Sequence, residues 1–193
     1  MTHTEERLTE LSKAHVQNIK EQFAAEILEN GETLYRVDLQ GRKFECYYTD
    51  EEMLTIARNC VLLVNALEKR LDDGLSTEDM ERARQLKYVN RVETISEELA
   101  ILDNVQQIMT AEMWEMYNEI ASAVRVGGAY LLFIAGPVFR SAINSAFDML
   151  ERYNAGAISD EQLPNHKDYC VYFLIRAAMH MHSKDLTDTQ CPS

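Results

Sequence analysis

Residues 33–49, TLYRVDLQGRKFECYYT, alternate polar and apolar side chains on either side of Gln40 and Gly41. That residue pair can close a two-residue loop, and the alternation is typical of strands with one buried face, so the stretch predicts a β-hairpin over about 33–48. Counting outward from the loop places opposite charges on one face and apolar residues on the other. The predicted pairs are Asp38 with Lys43, Arg36 with Glu45, Val37 with Phe44, and Tyr35 with Cys46.

A two-stranded hairpin is only marginally stable in water, so its apolar face must pack against helices or against another chain. The sequence predicts a helix on each side of it. Upstream, residues 4–30 carry an apolar stripe at helical spacing and end at Gly31, which favours a left-handed cap. Downstream, Thr49 and Glu52 have the spacing of a capping box at the start of a helix that runs to Gly74.

The longest periodic pattern covers about 77–126, where neither Gly nor Pro interrupts the chain. Apart from Gln106, apolar residues recur there at alternating steps of four and three from Tyr88 to Ala123, which is a heptad stripe. The stripe predicts one very long helix, or two nearly collinear helices with a break near 94–97 or 104–110. Glutamates flanking the stripe would repel each other in a parallel homodimer, so a helical bundle explains the pattern better than a two-stranded coiled coil.

The composition agrees with a helical domain. The 193 residues are 46% hydrophobic and 26% charged and include 7 Gly and 3 Pro, which leaves too few turn residues for an all-β fold. We therefore predict a mainly α fold, a helical bundle with one very long central helix and a small N-terminal β-hairpin. A single domain is expected over 1–183, followed by a disordered tail over 184–193. A homodimer is a separate hypothesis, because the stripe and the hairpin each leave an apolar face to cover.

The sequence has neither the pattern of a signal peptide nor an apolar run long enough to cross a bilayer. Its four cysteines, at positions 46, 60, 170 and 191, form no C-x-x-C pair. We therefore expect a cytoplasmic protein with reduced thiols, no metal site, no cofactor and no association with membranes.

Charge is the sequence feature with the clearest bearing on function. A net charge of -13 argues against a surface built to neutralise the phosphates of nucleic acid. Basic residues come first along 77–126, and between Arg91 and Arg125 the charged residues are all acidic. Because such an acidic flank attracts basic surfaces, the sequence predicts a non-catalytic acidic protein-binding module, an inhibitor or adaptor that occupies a basic, nucleic-acid-handling surface of a partner protein. The carboxylates expected to bind that partner are Glu98, Asp103, Glu112, Glu115 and Glu119.

Arg176 and His182, in the stretch RAAMHMHSKD at 176–185, give an alternative. Their spacing resembles the Arg-x(4 to 6)-His pattern of HEPN ribonucleases, a family that is helical and commonly dimeric. The resemblance covers one helix and implies RNA cleavage at a dimer cleft, with His182 as the acid-base group and Arg176 as a phosphate clamp. The structural interpretation of the same residues is a core helix with histidines in its last turn, where they suit the helix dipole.

A second alternative uses carboxylates from two predicted helices. Glu112, Glu115 and Glu119 share one helical face, and Asp148 and Glu151 follow on another helix. Carboxylate oxygens are the ligands that Mg²⁺ prefers, and the arrangement is similar to that of helical, Mg-dependent nucleotide pyrophosphohydrolases. The same acids are equally well explained as a solvated helix face.

Overall fold

The fold is described from a computed structural model of the chain. The structure describes residues 3–39, 42–72, 109–122, 139, 142–143, 145–153, 155–157, 166–181 and 184–185. Over these residues the protein is mainly helical, with a small antiparallel sheet. The elements in chain order are α1 (His3–Phe23), β1 (Ala24–Ile27), β2 (Glu32–Leu39), β3 (Arg42–Thr49), α2 (Asp50–Asp72), α3 (Ala111–Ser122), α4 (145–153), α5 (His166–Met181) and β4 (Lys184–Asp185).

The described strands form one antiparallel sheet in the order β1-β2-β3-β4. Strands β2 and β3 pair from Glu32 opposite Thr49 to Leu39 opposite Arg42, in the register counted outward from residues 40 and 41 of the sequence. The apolar face of this pair belongs to the same buried cluster as the helices, and it contacts α1, α2 and α5. Helices of the same chain therefore cover the hairpin, so the hairpin itself gives no reason to expect a homodimer.

The first helix is shorter than the apolar spacing predicts. It ends at Phe23 instead of residue 30, and β1 follows it and pairs with the edge of β2, with a register shift between Ala24 and Glu26. Gly31 has a φ of 84°, but it lies in the turn between the strands. The backbone pairing of β1 with β2 outweighs the helical pattern, and it leaves Ile27 77% exposed where the helix would have buried it.

Helix α2 is the central element of the described fold. It begins with the predicted capping box: the N–H of Thr49 donates to Oε1 of Glu52 at 3.0 Å, and the N–H of Glu52 donates to Oγ1 of Thr49 at 3.1 Å. The helix contacts α1, α3, α5 and β3. Its buried residues are Met53, Ile56, Ala57, Asn59, Cys60, Val61, Leu63, Val64 and Leu67.

The sequence allowed either one unbroken helix over 77–126 or two helices with a break. The unbroken helix is wrong, because the chain is not helical at 109–110. Met109 and Thr110 are not helical, and α3 begins at Ala111. Oγ1 of Thr110 accepts a hydrogen bond from the N–H of Met113 at 3.3 Å, so Thr110 caps a new helix, and a cap residue has non-helical backbone angles. The break falls inside one of the two windows expected from the sequence, 104–110, while residues 73–108 lie outside the described residues.

The C-terminal helices complete the core. The structure differs from the boundary predicted between the domain and its tail at residues 183 and 184. Helices α4 and α5 contribute buried side chains, among them Phe147, Leu150 and Leu174. Residues 184–193 were expected to form a disordered tail, but Lys184 and Asp185 form β4, which pairs with β3. Residues 186–193 lie outside the described residues. Among the described helices, none has both the length and the apolar character needed to cross a bilayer.

The buried face of α2 can be tested with Leu63→Ala. Leu63 is fully buried, so its truncation should lower the free energy of unfolding by about 2–5 kcal/mol, the usual cost of a cavity in a packed core. Asn65, exposed on the same helix, provides the control: Asn65→Ala should change stability by less than about 0.5 kcal/mol. Urea unfolding followed by circular dichroism measures both values, and similar losses in the two variants would contradict this orientation of α2.

Candidate functional site

The acidic face expected from the sequence is partly within the described residues. Glu112, Glu115 and Glu119 are exposed on α3, whereas Glu98 and Asp103 lie outside the described residues. The opposite side of α3 is buried, because Met113, Tyr117 and Ile120 pack into the core. The heptad stripe therefore orients α3 as predicted, with its glutamates on the solvent side.

Glu119 also has a structural contact. Asn59 is 3% exposed on α2, and its side-chain amide donates to Oε2 of Glu119 at 3.1 Å and to the carbonyl oxygen of Thr55 at 2.9 Å. A buried amide without such acceptors is costly, so Glu119 joins α3 to α2. Glu112 and Glu115 are consequently the better residues with which to test charge alone.

The structure explains Arg176 without a substrate. Its guanidinium carbon lies 5.9 Å from the ring centroid of Phe23 and 5.5 Å from that of Tyr172. Both distances fit cation–π contacts, which join α5 to the end of α1. His182 lies outside the described residues. The ribonuclease hypothesis therefore depends on the sequence spacing alone.

The acids of the magnesium hypothesis do not form a metal site. Among the described residues, which include all five of these acids, no group of three His, Cys, Asp or Glu side chains is placed to hold a metal ion. Asp148 is buried, and its Oδ2 lies 3.1 Å from Nε of Arg152, one turn later on α4. Mg²⁺ needs several oxygen ligands around one point, and these five acids do not provide them in the described structure.

A groove of about 510 Å³, which the sequence analysis did not predict, lies between α1 and α5. Its volume is in the range of sites that hold a small ligand or a large side chain. Leu11 and Ala14 of α1 line one part of it, while Asp168, Tyr169 and Tyr172 come from α5. The three α5 residues are spaced so that one side of the helix carries a carboxylate next to two aromatic rings.

Hydrogen bonds and ring contacts fix Tyr172 in this groove. Its hydroxyl donates to Oε1 of Gln22 at 2.9 Å, and the amide of Gln22 donates to Oδ1 of Asn18 at 3.0 Å. The Tyr172 ring also stacks on Phe23, with centroids 6.3 Å apart and planes inclined by 14°. Contacts on its edge and on its face therefore hold this aromatic ring in one orientation.

His15 and Asp168 lie next to each other at the groove. Nε2 of His15 lies 3.6 Å from Oδ1 of Asp168; the histidine is 9% exposed, while the aspartate side chain is 51% exposed. Burial lowers the pKa of His15, and the charge of Asp168 opposes this in part. None of the described residues that line the groove is Lys or Arg. Among the described residues of the lining, Asp168 is therefore the charged side chain at neutral pH.

Sequence reasoning missed this groove because it depends on which helices are neighbours. Residues 166–173, HKDYCVYF, do contain a usable signal, since two tyrosines and an aspartate interrupt an otherwise apolar helix on one side. That signal identifies a polar side of α5, but it does not identify the helix that packs next to that side.

The three described cysteines are buried in the core. Burial raises the pKa of Cys46 and of Cys170 to about 12, and it also raises the pKa of Cys60. Because the thiolate is the reactive form, these thiols are packing residues and not nucleophiles.

Comparison of the chain with protein-family models, with curated proteins and with solved structures finds no significant match.

The pH dependence of stability tests the position of His15. Its folded pKa lies below the unfolded value of 6.5, so the unfolded chain binds more protons between the two values and protonation favours unfolding. The stabilisation from neutral His15 is thus present above about pH 6.5 and is lost as the pH falls through the folded pKa. Between pH 7 and 5, wild type should lose more stability than His15→Gln in urea unfolding. Parallel pH curves for the two proteins would refute this.

Thiol labelling tests the buried cysteines. With Cys191 replaced in Cys191→Ser, the remaining thiols should react slowly with an aromatic disulfide reagent at about pH 8 and rapidly once the protein is unfolded in guanidinium. The released chromophore measures both rates. Rapid, stoichiometric labelling of the folded variant would show that at least one of these thiols is accessible.

Proposed function

We propose that the protein is a non-catalytic binding module that occupies a basic surface of a partner protein, as an inhibitor or adaptor. The observation that carries the proposal is the charge of α3. This helix places Glu112 and Glu115 on its exposed side, has its other side in the core, and contains neither Lys nor Arg. With a net charge of -13 on the chain, such a face attracts cationic surfaces over several ångströms of solvent.

The acidic face is held rigidly. Thr110 caps α3, the hydrogen bond from Asn59 to Glu119 fixes it against α2, and Met113 and Ile120 bury its inner side. A surface that is already ordered loses less conformational entropy on binding than a flexible acidic tail does. This favours a face that docks onto a partner over a segment that serves only for solubility.

The proposal is tested by the double variant Glu112→Lys and Glu115→Lys. Complementary charge mainly raises the association rate, and reversing two carboxylates at an interface should weaken binding at least about tenfold at low ionic strength. The affinity should also depend less on salt than that of the wild type, because the interaction that salt screens has been removed. Glu26→Lys with Glu29→Lys is the matched control, since both residues are exposed on β1 and its turn and the change in net charge is the same.

The experiment begins with affinity capture from a host lysate at low and high salt, using wild type and both double variants. Proteins retained by wild type and by the control, but lost with the α3 variant, are then purified and their dissociation constants measured by calorimetry. Circular dichroism verifies that all three proteins are folded. Partners that bind the α3 variant with unchanged affinity and unchanged salt dependence would refute the proposed function.

A further inference from the structure

We propose that the groove between α1 and α5 is a binding site for a neutral sugar ring. The ligand class follows from the lining, which places an aromatic ring beside amide and hydroxyl groups. The faces of a sugar ring carry C–H groups that pack on an aromatic ring, and its edge carries hydroxyls that donate and accept hydrogen bonds. The groove is built from other helices than the acidic face of α3, so this proposal is independent of the proposed function.

The two helices run in the same direction along the groove. His15 of α1 contacts Asp168 of α5, and later in both helices Gln22 contacts Tyr172. Because these contacts advance together, the side chains that face the groove form one row on each helix. The α1 row is Leu11, Ala14, His15, Asn18 and Gln22, and the α5 row is Asp168, Tyr169 and Tyr172.

Tyr169 supplies the surface on which the sugar ring packs. It lines the groove and is 44% exposed. The ring centroid of Tyr172 lies 6.5 Å from that of Tyr169, and the guanidinium carbon of Arg176 lies 5.5 Å from the Tyr172 centroid on its own account. Tyr172 is therefore already covered in part by the chain's own arginine, and the exposed ring of Tyr169 is the one on which a ligand packs.

A chain of hydrogen bonds orients the polar side of the groove. The hydroxyl of Tyr172 donates to Oε1 of Gln22 at 2.9 Å, and Nε2 of Gln22 donates to Oδ1 of Asn18 at 3.0 Å. The chain ends at Nδ2 of Asn18, which makes no hydrogen bond within the part of the protein that the structure describes. An amide held in this way presents its N–H groups to a ligand hydroxyl with little loss of side-chain entropy.

Other classes of ligand fit this lining less well. The net charge of -13 disfavours an anion. A cation would lie close to Arg176, which already places a positive charge against Tyr172. A purely apolar ligand would cover the amide of Asn18 and remove it from water without giving it an acceptor, which costs free energy. A neutral ring that carries hydroxyls avoids each of these penalties.

The test is a titration of the purified, ¹⁵N-labelled protein, followed by backbone and side-chain amide chemical shifts. The probes are the methyl glycosides of glucose, galactose, mannose and N-acetylglucosamine. At least one of them should shift Ala14, Asn18 and Tyr169, with a dissociation constant on the order of several millimolar, as befits one stacked ring and a few solvent-exposed hydrogen bonds. The affinity should be the same at low and high salt, because the ligand is uncharged.

Variants of the lining separate stacking from hydrogen bonding. Tyr169→Ala removes the ring and should weaken binding at least about fivefold, whereas Tyr169→Phe keeps the ring and should change binding less than about twofold. Asn18→Leu keeps a side chain of similar size that cannot donate, so binding should weaken at least about threefold. Tyr47→Ala on the sheet and Asn65→Leu on α2 are matched controls, because both residues are exposed outside the groove, and they should leave binding unchanged. The spectra of the free variants show whether each is folded.

Three comparison ligands test the assigned class. Glycerol has hydroxyls without a ring, adenine has a planar ring without hydroxyls, and glucose phosphate adds negative charge, so each should bind more weakly than the best glycoside. Tighter binding of any of these three would overturn the proposal. So would the absence of shifts with all four glycosides, shifts confined to residues outside the groove, an affinity that falls with salt, or unchanged binding in both Tyr169→Ala and Asn18→Leu.

Discussion

The burial of one face of α2 is the constraint on which the rest of the described structure depends. Helices α1, α3 and α5 all pack on α2, and β3 leads directly into it through the capping box. Each of the three helices is also connected to α2 by a polar contact at the edge of the core. The contacts are Arg58 with Glu5 at 3.0 Å, Asn59 with Glu119 at 3.1 Å, and Glu68 with Lys167 at 3.2 Å. Exposed ion pairs add little stability, so the apolar contacts hold the helices together while these polar pairs favour one alignment.

The two candidate binding surfaces depend on that arrangement in different ways. The acidic face belongs to a single helix, so it needs α2 only to keep Met113 and Ile120 buried. The groove needs two helices at a fixed separation, since Asn18 and Gln22 come from α1 whereas Asp168 and Tyr172 come from α5. In the proposed function the acidic face acts through long-range charge and speeds the encounter with a basic partner.

Local interactions made part of this fold predictable from sequence. The hairpin register follows from alternation about residues 40 and 41, and the start of α2 follows from Thr49 and Glu52, because each pattern involves residues close together in the chain. The end of α1 was not predictable in this way: an apolar residue at position 27 fits a helix as well as a strand, and the choice depends on the open edge of β2.

Sites that depend on contacts between distant residues were harder to predict. The exposed acids of α3 could be identified because one helix determines which side they share. The pairing of His15 with Asp168 joins residues far apart in the chain, and no local pattern encodes it. The break before α3 lies in one of the two windows that the sequence left open. The start of the new helix is marked by the Thr110 hydroxyl, which accepts a hydrogen bond from the N–H of Met113.

Strand β1 has a consequence for the solubility of the protein. It is an edge of the described sheet and all of its residues are exposed, so its outer backbone groups could pair with a strand of another molecule. Three features oppose such growth: the strand is four residues long, its pairing is irregular between Ala24 and Glu26, and Glu26 places a charge in its middle. A short, bent and charged edge is a poor template for fibre formation, so the segment that departs from the helical pattern also limits the aggregation hazard that it creates.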